Sequence, residues 1–215
     1  TSWWLDEHRT AAGEAVLPGS AYPELARAAL AELGVTRPFE IRDLTFVRPL
    51  PAPDDGAARV RVVLTPTEEG YRFETSEEVE VQTPSAGDGP APTRNGWRVT
   101  AEATLLPQRL SAPPPVDLGA DEQRCPTREA TRTHQEDHLR FGPRWGVVER
   151  VQRGPGGAMV WLRLDERFHD DLEHFALHPA LFDMGTGSAM SLIEDDTGER
   201  LWVPLSYRRI LVHGP

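Results

Sequence analysis

The chain has 215 residues, 39% hydrophobic and 27% charged, a balance that suits a soluble globular protein rather than a disordered one. Its net charge of -11 speaks against nucleic acid as a partner, because phosphate binding needs a basic face. The one cysteine, Cys125, excludes an internal disulfide. That single cysteine fits a reducing cytoplasm. No apolar run nears the roughly 20 residues that span a membrane, and no basic-then-apolar leader opens the chain.

Thr1-Ser2-Trp3-Trp4-Leu5 opens abruptly, like a segment of something larger. A first helix is expected from about Ser20 to Leu33. Tyr22, Leu25, Ala26, Ala29 and Leu33 recur at helical spacing, Ser20 stands as N-cap after a Pro18-Gly19 turn, and Gly34 is the stop. Strands follow at Phe39–Val47, Val60–Thr65, Tyr71–Thr75 and Trp97–Leu106, with Glu68-Glu69-Gly70 as a turn and Pro84–Asn95 as a loop. Pro107–Asp121, with Pro113-Pro114-Pro115, reads as a linker. Beyond it come strands near Trp145–Val151, Ala158–Leu164 and Leu201–Val212. A second helix is expected from Pro179, well suited to a first helical position, to about Ile193. Each half thus has one long helix and several strands, although the order of elements differs between halves.

Three constellations carry the chemistry. The first is Trp4-Leu5-Asp6-Glu7-His8 with Gly13 and Pro18-Gly19-Ser20-Ala21-Tyr22. The second in chain order is Phe141-Gly142-Pro143-Arg144-Trp145. The third is His178-Pro179-Ala180-Leu181-Phe182-Asp183. Together they resemble the dehydratase domains of modular polyketide synthases and of the related animal fatty acid synthase. The similarity takes in nearly the whole chain, including Phe39–Phe46 and Val203-Pro204-Leu205-Ser206-Tyr207.

The resemblance implies an α+β double hotdog, two units of a helix in a curved antiparallel sheet. Residues 1–106 are the expected N-terminal unit with a catalytic His8, 107–127 the Pro-rich linker, and 128–215 the C-terminal unit with a catalytic Asp183. It implies dehydration of a β-hydroxyacyl thioester to an α,β-unsaturated one, with substrate carried on the phosphopantetheine of an acyl carrier protein. No cofactor or metal is expected in the domain itself. The implied partners are the carrier protein, neighbouring synthase domains and a second copy in a homodimer. His8, mostly neutral at pH 7 as histidines are, suits removal of the α-proton. Asp183 suits protonation of the leaving hydroxyl if an apolar tunnel raises its pKa. Gly13, Pro18, Tyr22, Phe141, Gly142, Pro143 and Gly187 are the expected substrate-lining positions, with backbone N–H groups around Gly142 or Gly13 as candidates to polarise the thioester carbonyl.

The chain departs from the family pattern in places. His8 to Gly13 is one residue longer than usual, with Ala12 where the glycine is expected. Phe141 replaces a tyrosine, and Leu139 stands where another tyrosine is common. Gly187 stands one helical turn after Asp183, where Gln or His is usual and able to hydrogen-bond the carboxyl. Family members also continue with further strands past the Tyr207 segment, so the C-terminal unit is either compact or partial. These departures keep two rivals open: a double-bond isomerase or ring-forming cyclase on the same fold, and a non-catalytic scaffold. His178 reads as a structural residue that caps the helix or contacts backbone. His134, His138, His169 and His174 lie among acids without a zinc spacing. Gly154-Pro155-Gly156-Gly157 reads as a hairpin turn rather than a phosphate loop, and the six tryptophans mostly as core.

Overall fold

The structure, a computed structural model, describes residues 3–54, 57–82, 93–125, 134–154, 157–193 and 199–213. In chain order these form α1 (Trp3–Asp6), β1 (His8–Thr10), β2 (Ala15–Val16), α2 (Ala21–Glu32), β3 (Phe39–Phe46), β4 (Pro51–Ala52), β5 (Val60–Pro66), β6 (Tyr71–Gln82) and β7 (Thr93–Pro107). Then come α3 (Leu118–Arg124), β8 (Leu139–Phe141), β9 (Val148–Gly154), β10 (Gly157–Leu162), α4 (Pro179–Gly187) and β11 (Ser206–Val212). Short 3-10 helices occupy His134–Asp137, Pro143–Trp145, Glu166–Glu173 and Ser188–Leu192. Among these helices none is long and apolar enough to cross a membrane.

The strands pair antiparallel in three sheets, ordered β11-β3-β7-β6-β5, β4-β2-β1-β8 and β10-β9. α2 turns Ala21, Tyr22, Ala26 and Leu30 inward against Ile41, Leu44, Phe73 and Leu105 of the five-stranded sheet. The Leu, Ile and Phe side chains among these contribute about 1.5–3 kcal/mol each when fully buried, so this face holds the helix to its sheet. A second cluster joins Ala180 and Met184 of α4 to Trp145, Val147 and Leu164, with Leu162 of β10 and Val148 of β9 beside them. These two helix-on-sheet units make the α+β double hotdog. Trp4 packs against both clusters, so the N-terminal residues lie at the seam between them.

The sheets cross the boundary drawn from the linker. β8 pairs with β1, and β11 pairs with β3 from Val212↔Phe39 to Ser206↔Thr45. Both strands come from the C-terminal part of the chain. The segment read as a linker is partly structured: β7 runs through Pro107, and α3 begins at Leu118. Residues 126 and 127 lie outside the described residues, as does most of the expected loop at 84–95.

Other elements differ at their ends. α4 stops at Gly187 and continues to Leu192 only as a 3-10 turn. Gly185 and Gly187 weaken the helix, and the hydroxyls of Thr186 and Ser188 bond back to the carbonyls of Phe182 and Met184. The strand expected from Trp145 begins at Val148, because Pro143 starts a 3-10 turn through Trp145. The last strand begins at Ser206 rather than Leu201, just after Pro204, which has no N–H for a ladder. β3 forms as expected but bulges between Arg42 and Thr45, where Asp43 takes a φ of 53°. β9 and β10 pair antiparallel from Gly154↔Gly157, and residues 155–156 of the expected hairpin turn lie outside the described residues.

Candidate active site

β1 and β8 set the first half of the site. Their register places His8 opposite Phe141, and the two rings lie 5.6 Å apart. His8 is buried, and its Nδ1 lies 2.8 Å from the carbonyl oxygen of Val16 on β2. A carbonyl oxygen only accepts, so Nδ1 carries the hydrogen and Nε2 of the neutral ring presents a lone pair. α4 brings Asp183 to that nitrogen: Nε2 and Oδ2 are 4.0 Å apart, with side-chain exposures of 9% and 13%. This is too long for a hydrogen bond, so neither atom is tied up by the other.

Asp183 is held from a third direction. The indole Nε1–H of Trp145 donates to Asp183 Oδ2 at 2.9 Å. Burial pushes the Asp183 carboxyl above the ordinary carboxylate range, while His8, the Trp145 bond and the flanking Ser20 hydroxyl pull the other way. Phe141 and Trp145 stack almost parallel, at 6.0 Å and 4°, and both rings pack on His8. A cavity of about 300 Å³ opens beside them, lined by Glu136, Phe141, Gly142, Trp145, Gly146 and Val148.

Around this pair runs a set of half-buried charges. Arg144 donates to Glu7 from its backbone N–H and from Nη1, both at 2.7 Å, and from Nε to Asp171 at 2.6 Å. Its guanidinium lies 4.6 Å from the Trp3 ring centre. His178 Nε2 is 3.7 Å from Asp171 Oδ2, and its ring stacks on Trp3 at 5.3 Å. Glu7 precedes His8, Arg144 precedes Trp145, and His178 opens the helix that carries Asp183. One network therefore ties together the three segments of the site.

The remaining expected positions separate into groups. Phe141 lies against His8, and Pro143 starts the Trp145 turn. Gly142 passes beneath Glu7, so that a Cβ there would strike the Glu7 side chain. Pro18 is buried just before α2 and accepts a bond from Ala21 N. Tyr22 points into the core instead, against Phe46 at 5.4 Å and with its hydroxyl toward Thr100, because its ring faces the five-stranded sheet. Gly13 is a turn residue at φ 94° between β1 and β2. The N–H groups proposed to polarise a carbonyl are already engaged, Gly13 with Thr10 O and Gly142 with Glu7 O, each at 2.9 Å. Neither is free for that task. Gly187 leaves room that Gln135 fills: a Cβ there would collide with the Gln135 amide.

Both capping positions hold, though not through the side chains. Ser20 and His178 stand at the N-caps of α2 and α4, yet neither makes a side-chain capping bond. The Ser20 hydroxyl lies beside Asp183, and His178 is drawn toward Asp171 and Trp3. Glu7, Gln135, Arg144 and Trp145 are the residues that sequence reasoning missed. A buried indole N–H nearly always finds a partner, which was the available signal for Trp145. The adjacency of Glu7 to His8 and of Arg144 to Trp145 marked the other charges. Nothing in the sequence marked Gln135.

Comparison with known families fits this arrangement. Residues 1–78 match the model described as polyketide synthase dehydratase domain, and residues 113–215 match the one described as polyketide synthase dehydratase N-terminal domain. The chain belongs to the polyketide synthase dehydratase family. Polyketide synthase PksN of Bacillus subtilis is 26% identical over 94% of this chain, but over only 4% of its own length. This dehydratase-family chain thus spans a small fraction of the curated relatives it matches. The dehydratase domain from the CurF module of the curacin polyketide synthase has a TM-score of 0.80 at 18% identity, covering 96% of this chain and 72% of that one. Two CurK dehydratase variants, one with a His-to-Phe change and one with an Asp-to-Asn change, are each described as an inactive mutant. Their TM-scores are 0.75 and 0.76 at 19% identity, over 96% of this chain and 70% and 72% of theirs.

Proposed function

We propose that this domain dehydrates a β-hydroxyacyl thioester, with His8 as base and Asp183 as acid. Family membership supports hydro-lyase chemistry in polyketide biosynthesis. The observation that carries the residue assignment is the 4.0 Å approach of His8 Nε2 to Asp183 Oδ2 inside the protein. The α-proton and the β-hydroxyl sit on neighbouring carbons, so two groups this close can act on both. His8 Nε2 takes the α-proton, the electron pair forms the new carbon–carbon double bond, and the β-hydroxyl departs with the Asp183 proton as water. An imidazolium and a carboxylate remain, neutral as a pair, so the buried site gains no net charge. Returning that proton from His8 to Asp183 restores the starting state.

The raised pKa of Asp183 supports its role, since only the protonated carboxyl can donate. The inactive CurK variants support it by analogy, because their changes are of the same residue types. The cavity beside Phe141 and Trp145 adjoins two rings that pack on His8, although neither His8 nor Asp183 lines it. Delivery of the substrate on the phosphopantetheine arm of a carrier protein belongs to the same proposal, and tethering lets the docking itself be weak. The proposal extends to a homodimer within a larger synthase.

The test is turnover of β-hydroxyacyl pantetheine thioesters, followed by mass spectrometry for loss of water. His8→Ala and Asp183→Asn are each expected to lose at least about 100-fold in kcat, the lower end of what a positioned acid or base contributes. Equal rates in both variants and the parent overturn the assignment. A product of unchanged mass from an enoyl substrate points to double-bond isomerisation instead.

A further inference from the structure

A catalytic acid must present its proton on the correct oxygen. We propose that Trp145 is the positioning residue that does this, holding Asp183 Oδ2 through its indole N–H so that Oδ1 offers the proton to the departing hydroxyl. This inference rests on the dehydratase reading above.

The argument begins with donor chemistry. An indole N–H donates and never accepts, so at 2.9 Å Oδ2 must be the acceptor. A carbonyl-type oxygen accepts better than a hydroxyl oxygen, so a protonated Asp183 places its hydrogen on Oδ1. Oδ2 is also the oxygen measured nearest to His8 Nε2. A proton on Oδ1 is therefore kept off the atom facing the base, and the two groups do not neutralise each other's function before substrate arrives.

Packing then fixes the donor. Trp145 is 2% exposed, stacked on Phe141 and edge-on to Trp3 at 5.9 Å. Its turn is clamped by the paired bonds of Arg144 to Glu7 and by the Arg144–Asp171 bond. The same Glu7 adjoins His8, so one clamp sets both the base and the residue that orients the acid.

The rest of α4 supplies no substitute. Gly187, one turn past Asp183, has no side chain, and its space is filled by Gln135. The Thr186 hydroxyl is directed at the carbonyls of Phe182 and Asp183.

Trp145→Phe keeps a ring in the stack and removes the N–H together with part of the indole. The expected result is a kcat lowered by about 10- to 100-fold with KM within about twofold, as befits loss of one hydrogen bond to an ionisable group. The bond favours the carboxylate, so its loss also moves the alkaline limb of the rate profile to higher pH. If the smaller ring packs poorly, a benzothiophene analogue of tryptophan at position 145 removes the N–H at nearly constant shape. Adding Gln135→Ala and Gly187→Gln to Trp145→Phe clears the space and brings a donor in one helical turn away, and is expected to recover at least about tenfold of the lost kcat.

A carbon-13 NMR titration of Asp183 gives a readout independent of turnover, with a midpoint expected to rise in Trp145→Phe. A folded variant with unchanged kcat and an unmoved midpoint overturns the inference and leaves the dehydratase reading standing. A parent protein that turns over no β-hydroxyacyl thioester overturns that reading instead. In that event an unmoved midpoint overturns the Trp145 bond as well, and a raised one supports it.

Discussion

A carboxyl kept from water holds its proton more tightly, and at Asp183 this ties stability to chemistry. Its folded pKa lies above the unfolded value, so in that interval the folded state binds more protons than the unfolded chain. The contribution is fully present below the unfolded pKa and is lost as pH rises through the folded one. Asp183→Asn keeps the shape and the Trp145 contact but carries no charge. Thermal unfolding is therefore expected to show Asp183→Asn more stable than the parent at pH 7–8, with the difference shrinking toward pH 4. A difference independent of pH would contradict the buried-acid account. His8 and Asp183 were legible because each lies in a recognisable local pattern of Gly, Pro and apolar residues. Trp145 was not assigned a role because its partner lies on α4, far along the chain. Tyr22 was misplaced because helical spacing tells which face is buried but not whether that face meets core or substrate.

Between elements, the site depends on how closely segments approach. Gly142 gives its backbone N–H to Glu7 while the Glu7 side chain lies across it, with no space for a methyl group. The atoms in the way are the inner carbons of Glu7, not its mobile end, so the conflict cannot be relieved by a small rotation. Gly142→Ala is expected to destabilise the protein by about 1–3 kcal/mol, the usual cost of overpacking, measurable in denaturant melts. Because Glu7 also holds Arg144 and adjoins His8, kcat/KM is expected to fall in the same variant even where it is fully folded. Retained activity with lowered stability would separate packing from positioning. The sequence identified most elements correctly, since long periodic segments such as α2 and β3 announce themselves. Their ends were less legible. α4 was read as too long because Gly185, Gly187 and two back-bonding hydroxyls outweigh the apolar spacing, and β11 as too long because Pro204 interrupts the ladder.

At the scale of the molecule, the two units are joined more firmly than a sequence divided at its prolines implied. Strand pairing is non-local, and nothing in the composition of 206–212 states that it pairs with 39–45. Yet β11 lies along β3 and β8 along β1, so two ladders from the C-terminal part are woven into sheets begun by the N-terminal part. Between them, Ser111–Asp117 is exposed throughout and belongs to no helix or strand. The covalent chain is thus dispensable there in a way that the ladders are not. A protease site inserted in that stretch and cut after folding is expected to yield two fragments that co-elute on gel filtration and retain the parent's turnover. Separation of the fragments without denaturant would refute this. A break in the polypeptide would leave a split protein still whole in function, its halves laced by strand hydrogen bonds.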